Sequence, residues 1–406
     1  YTDVLDEFKE KIFQLDGSET LNYQYGEELR EVQTSKITLK YKEGDDIKTK
    51  TFPAYHTHHG PITHMVDGHW TATAMMWEPV KALEQSYIRT KQQGYNGFRK
   101  MMDIRTNSSN NTVYADAEGN IAYFHGNFIP KRDTIFDFTQ AVAGWDPNTD
   151  WKGLHEVDEN ILVKNPANGW IQNCNSTPFT SAGPYSPKKE AYPKYMSRDQ
   201  ENFRGVHAIR LLEDKKGYSL DSLIRLAHDP YLPAFEVLIP GLIKAFDAQP
   251  NNSLKAPIEA LRNWDFSTSK ASVPMTLAHF YGTECYRRAA RPEGLYAMQL
   301  VRYWGSDSPN SERLAIFQET VSKLEADFGS WEMPWGEVNR YQRINGDIRQ
   351  QFDDAAPSIP IGFASGRWGA LAAYGARYTS DSAKKLYGTL GNSFVADVEF
   401  GEKVKA

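Results

Sequence analysis

Polar and apolar positions alternate through Ser-Lys-Ile-Thr-Leu-Lys-Tyr at 35–41, the period-two pattern of a strand with one face buried. Glu43-Gly44-Asp45-Asp46 predicts a turn, and 47–52 the return strand. A helix is predicted from Glu78-Pro79 towards Thr90, because proline fits a first turn where its missing N–H has no helical partner. A second helix fits 95–103. Thr112 to Asp116, a turn at Ala117-Glu118-Gly119-Asn120, and Ile121 to Phe124 predict a β-hairpin. Beyond Asp133 the chain is rich in Pro and Gly up to about Phe203, and Trp145, Trp151 and Trp170 argue for ordered loops there.

From Gly205 to about Asp327 the pattern is helical. Ser219 is placed to cap a helix over 220–227, and Ser311 one in which Leu314, Phe317, Val321 and Leu324 share a face. At 392–400 alternation returns and predicts a closing strand. Strands, then helices, then strands give an α+β layered fold with a helical insertion. The expected division is 1–204, 205–330 and 331–406.

Composition narrows the function classes. The 406 residues are 40% hydrophobic and 24% charged, which is globular and long enough for a large core. A net charge of −6 offers nucleic acid no basic surface. The longest apolar stretch, 234–246, is broken by Glu236, Pro240, Gly241 and Lys244 and is too short for a membrane span. Two cysteines, Cys174 and Cys285, cannot build a disulfide scaffold or a four-thiolate zinc site, and one bridge between them stays open.

Five of the ten histidines fall between His56 and His69, which raises a zinc site. The window lacks His-Glu-x-x-His, and adjacent His58 and His59 would point to opposite sides of a strand. Hydrogen-bonded histidines at a strand end are the expected arrangement. No phosphate-binding glycine loop or Gly-x-Ser-x-Gly elbow occurs. Cys174 lies between two neutral asparagines, with nothing to stabilise its thiolate. Asn173 and Asn175 would put both amides on one side of an extended segment. An amide N–H can stabilise an oxyanion without adding charge, although asparagines in loops usually satisfy backbone.

Gly-Trp-Ile-Gln-Asn-Cys-Asn-Ser-Thr-Pro at 169–178 resembles the oxyanion-asparagine motif of the penicillin acylase family of N-terminal-nucleophile (Ntn) hydrolases. Thr57-His58-His59-Gly60-Pro61 resembles its Arg-His-Gly-Pro strand end. The stretch 114–123 resembles its Tyr-Ala-Asp-x-x-Gly-Asn-Ile-Gly-Tyr hairpin, and Trp151-Lys152-Gly153-Leu154 follows in family order. Late motifs at 334–340 and 387–395 resemble the acyl-homoserine-lactone and long-chain acylase branch.

The resemblance implies a four-layer αββα sandwich and hydrolysis of a side-chain amide in an acylated substrate: an acyl-homoserine lactone, a penicillin or an acylated peptide. Quorum quenching or antibiotic metabolism would be the setting. Asn175 would be the oxyanion donor, with Asn173 supporting its loop, and His228 falls near a polar residue that steers that asparagine and the nucleophile's amine. Asp3, Leu5 and Asp6 match positions of a structural calcium; no cofactor is required for the chemistry. The resemblance places the nucleophilic serine upstream of Tyr1, in an autoprocessed precursor that also supplies a small α chain and the N-terminal part of the large β chain. Export to the periplasm or medium goes with that family. Helices within 78–103 are expected to border the acyl pocket. A non-catalytic acyl-binding or scaffold homologue is the other class of protein this sequence fits.

Overall fold

The computed structural model describes residues 4–17, 19–213, 216–288, 292, 294, 295, 297–392 and 394–404. The chain divides into two compact units. Unit 1 comprises 1–171, 177–181 and 185–199; unit 2 comprises 172–176, 182–184 and 200–406.

Unit 1 contains β1 (Asp6–Glu10), β2 (Ile12–Gln14), β3 (Leu21–Tyr25), β4 (Glu28–Glu31), β5 (Gln33–Glu43), β6 (Asp46–Thr57), β7 (Gly60–Val66) and β8 (His69–Ala74). Helices α1 (Pro79–Arg89) and α2 (Gly94–Met101) follow, then β9 (Thr112–Ala115), β10 (Ile121–Phe124), β11 (Val142–Ala143) and β12 (Leu162–Lys164). A six-stranded sheet runs β11-β1-β8-β7-β6-β5, beside three-stranded sheets β12-β10-β9 and β2-β3-β4. Strand β1 is central: it pairs antiparallel with β8, Phe8 opposite Ala72, and parallel with β11, Phe8 opposite Val142. Phe8, Ala72, Ala74, Phe138 and Val142 form one small apolar cluster. Tyr95, Phe98, Met101 and Met102 pack on Ala122 and Phe124 in another.

The β5–β6 hairpin and the β9–β10 hairpin form where the alternation predicts, with Ile121 opposite Ala115 in the second. Helix α1 starts on Pro79 as expected, and Arg89 in its last turn complements the helix dipole. One expectation fails in β5: none of its residues is buried, and Ile37, Leu39 and Tyr41 remain exposed. Alternation sorts side chains to two faces but does not itself provide a surface to cover either one.

Unit 2 contains α3 (Phe203–Glu213), α4 (Leu220–Ala227), α5 (Pro233–Ala248), α6 (Lys255–Arg262), α7 (Val273–Arg287), α8 (Ala297–Arg302), α9 (Asn310–Phe328) and α10 (Trp335–Val338). Strands β13 (Asn339–Tyr341), β14 (Ile359–Pro360), β15 (Tyr374–Arg377) and β16 (Leu386–Gly391) form a sheet in the order β14-β13-β16-β15. Helix and sheet residues share one apolar core around Phe235, Phe317, Trp304, Trp335 and Trp368. Its closest approach is backbone to backbone: a Cβ on Gly241 would lie 1.8 Å from the Gly305 carbonyl oxygen, so only glycine fits.

Ser219 caps α4 as expected, accepting from the Ser222 N–H. Helix α9 instead starts at Asn310 with Pro309 at its N-cap position, two residues earlier than a Ser311 cap requires. The expected strand at 392–400 is absent among the described residues. The strand is Leu386–Gly391, and Phe394, Val395, Val398 and Phe400 are exposed beyond it. Cys174 and Cys285 are both free thiols. The architecture is mixed α+β, and no described helix is long and apolar enough to cross a membrane.

Candidate functional site

The asparagine loop, 172–176, belongs to unit 2, where α3 organises it. Asn202 precedes α3 and caps it: its Oδ1 accepts from the Arg204 and Gly205 N–H groups, each at 3.0 Å. The same side chain donates through Nδ2 to the carbonyls of Cys174, at 3.1 Å, and Asn175, at 3.2 Å. One residue thus starts the helix and fastens the loop to it. Asn173 Oδ1 accepts from the Asn175 N–H at 3.2 Å, a local turn that short polar side chains favour.

Asn175 itself is exposed and has φ 54°. Asparagine is among the few non-glycine residues that tolerate the left-handed region. Its side-chain Oδ1 accepts from Arg204 Nη2 at 3.0 Å. That bond fixes which way the amide faces and leaves the Nδ2 hydrogens directed away from the guanidinium. The positive charge on the carbonyl side also polarises the amide and strengthens it as a donor.

His228 lies elsewhere in unit 2. It ends α4, exposed, with Nδ1 2.9 Å from the Ile224 carbonyl oxygen and its ring 6.0 Å from that of Phe363. No hydrogen bond or ring contact among the described residues joins it to Asn175. The side chain that holds Asn175 is Arg204, which sequence reading missed. The available signal was Asn202 as a helix cap, with an arginine two residues on inside the first turn. A cavity of about 460 Å³ opens beside His228, lined by Phe363, Tyr374, Leu390 and Val395.

Of the expected calcium residues, Asp3 lies outside the described residues and Leu5 is exposed. Asp6 is buried, and its Oδ2 accepts from Arg132 Nε and from Trp151 Nε1, both at 2.6 Å. Arg132 and Asp6 have fully buried side chains. Oδ2 thus has its counter-charge, while the buried Oδ1 has no hydrogen-bond partner among the described residues.

The histidine pair lies hydrogen-bonded at a strand end, as expected, but not on opposite faces. His58 and His59 occupy the turn between β6 and β7, not a strand, so their rings are not sent to opposite faces. Gly60 makes the turn possible: its φ is 144°, and a Cβ there would lie 2.2 Å from the Thr73 carbonyl oxygen. The two rings lie together, centroids 3.8 Å apart. His59 Nδ1 is 2.8 Å from Glu10 Oε1, and its Nε2 is 3.0 Å from Asp150 Oδ1. Burial and the neighbouring His59 charge push the His58 imidazole below its ordinary pKa. Burial raises the Asp150 carboxyl, but the Tyr25 hydroxyl and His59 outweigh it and hold the group below its usual range. The Cys174 thiol is pushed up to about 11 by burial, so it is protonated at neutral pH and is no nucleophile.

The family model described as penicillin amidase matches residues 1–406. Penicillin G acylase of Escherichia coli is 31% identical over 173 residues, which are 38% of this chain and 18% of that protein. A solved thermostable penicillin G acylase from Alcaligenes faecalis superposes with a TM-score of 0.60 at 19% identity, covering 80% of this chain and 66% of that one. At that identity the superposition shows the fold alone, that of the Ntn hydrolases. The matched region spans less than a fifth of the E. coli relative's length.

Proposed function

The chain belongs to the penicillin amidase family, and from that premise we propose that it forms part of a hydrolase that cleaves the amide bond between an acyl group and an amine. The observation that carries the proposal is the state of the Asn175 amide. Its oxygen is held by Arg204 and its backbone in the left-handed region, which leaves Nδ2 of this exposed side chain as the donor.

In this reaction a serine hydroxyl attacks the amide carbonyl and passes its proton to the serine's own α-amine. An α-amine has an ordinary pKa near 8, so a usable fraction is unprotonated at neutral pH. The C–O bond forms, and the carbonyl π electrons move onto oxygen. Asn175 Nδ2 donates to that oxyanion, a preorganised contact of the kind worth about 2.7–4 kcal/mol in the transition state. Collapse breaks the C–N bond, the amine leaves with the proton, and water then hydrolyses the acyl ester. The serine belongs upstream of Tyr1 in this proposal, where the likeness at residues 3–6 assigns it. A small α chain and the N-terminal part of the β chain, from one exported precursor, complete the enzyme.

The acyl group is apolar in this reading: a fatty or aromatic acid carried on a homoserine lactone, a peptide or a penicillin. Support comes from α1, which presents Val80, Leu83 and Tyr87 exposed along one helical face beside exposed Trp77. The test uses the complete, processed protein, with release of free acid measured for each of the three substrate types. Asn175→Ala should lower turnover by about 10²–10³-fold with folding and processing intact. Unchanged turnover in that variant, or no acid release from any acylated amide by the parent protein, would overturn the proposal.

A further inference from the structure

A second cluster, outside the asparagine loop and unused by the proposed hydrolysis, sits in unit 1. His58, His59 and Asp150 each direct one ligand atom to a common point, and these atoms all lie within 4.8 Å of one another. His59 Nε2 is 3.0 Å and His58 Nε2 is 3.5 Å from Asp150 Oδ1. Ligand atoms of a tetrahedral zinc lie roughly 3.3 Å apart, as follows from bonds of about 2.0–2.1 Å. The two separations to Asp150 bracket that value.

The outer atom of each residue is held by a different partner. His59 Nδ1 is 2.8 Å from Glu10 Oε1, His58 Nδ1 is 3.0 Å from the Tyr23 hydroxyl, and Asp150 Oδ2 accepts from the Tyr25 hydroxyl at 2.5 Å. Such outer contacts are what orient metal-binding imidazoles and carboxylates. The Glu10 side chain is fully buried, and among the described residues the other partner of its carboxylate is the Thr57 hydroxyl, 2.7 Å from Oε1. No lysine or arginine among the described residues is hydrogen-bonded to Glu10 or Asp150. Two carboxylates thus surround two imidazoles without a fixed positive charge.

A cavity of about 480 Å³ opens on the cluster, lined also by Phe8, Met75 and Trp151. It leaves room for a water as fourth ligand, the arrangement of three-ligand open sites. We propose that His58, His59 and Asp150 form a binding site for a divalent transition metal, with Glu10, Tyr23 and Tyr25 orienting its ligands. Two imidazoles and one carboxylate suit zinc or cobalt better than calcium or magnesium, which prefer all-oxygen sites.

The experiment strips the complete protein with a chelator, titrates it with Zn²⁺ or Co²⁺, and measures bound metal per chain and the visible spectrum of the cobalt form. One equivalent should bind, with the intense visible bands of four-coordinate cobalt. His58→Ala and Asp150→Asn should each weaken binding by about 10- to 100-fold or more. His64→Ala, which removes a histidine of the same window outside the cluster, should not. The His58 side chain is about a third exposed, and the fold of its variant is checked by an unchanged thermal midpoint without metal. No stoichiometric metal, or equal weakening in the His64 variant, would overturn the assignment. Zinc readouts do not depend on acyl turnover, so this result and that of the Asn175 variant are separable.

Discussion

Unit 2 buries Trp304, Trp335 and Trp368 with Phe235 and Phe317 in one continuous apolar cluster, whereas unit 1 spreads its apolar side chains over smaller clusters and puts Asp6, Glu10, Arg132 and His125 inside. The first interior is held mainly by packing, so it responds to volume, and it also encloses His207, Arg313 and a His279 imidazole that burial holds at about 3. The second is held partly by paired polar groups, so it responds to protonation and to loss of a partner. The asparagine loop, although it follows unit 1 in sequence, belongs to the packed unit through Asn202 and α3.

The contrast can be broken first at its strongest point. Phe235 is fully buried in unit 2, and Phe235→Ala should cost about 3–5 kcal/mol by denaturant unfolding. A loss below about 1 kcal/mol would show that this core is not tightly packed. Acid comes next. Burial holds the His125 imidazole of unit 1 at about 4, below its ordinary value. The folded state excludes a proton that the unfolded chain accepts. The contribution is therefore complete above about pH 6.5 and is lost as pH falls towards 4. Between pH 7 and pH 4.5 it should fall by about 2–3 kcal/mol, and His125→Gln should remove that part of the acid sensitivity. The smallest effect belongs to the β5–β6 hairpin: Ile37→Thr, at an exposed position, should stay within about 0.5 kcal/mol. A loss above about 1 kcal/mol would mean that this sheet face is covered in solution.

Local signals were legible where they carry their own geometry. The turn residues at 117–120 set the β9–β10 hairpin, Pro79 set the start of α1, and Ser219 with Ser222 set the cap of α4. What failed needed knowledge of a neighbour. Alternation at 392–400 was read as a strand, but a strand also needs a partner edge. The pairing of β16 with β13 and β15 ends at Gly391. The histidine pair was expected at a strand end with its rings on opposite sides, and the turn at Gly60 instead brings the rings together, since only glycine admits the Thr73 carbonyl so closely. At the asparagine loop, the motif singles out Asn175 but not the side chain that holds it. Arg204 comes 29 residues later, and only the fold of α3 onto the loop joins them.

The central claim is that Arg204 positions the Asn175 amide and Asn175 supplies the oxyanion contact. A double-mutant cycle on turnover by the complete, processed protein tests it most directly. Asn175→Ala should lower kcat by about 10²–10³-fold. Arg204→Ala should lower it by less, and adding it to Asn175→Ala should change little further, because both remove one contact. Losses that simply multiply in the double variant would contradict the account.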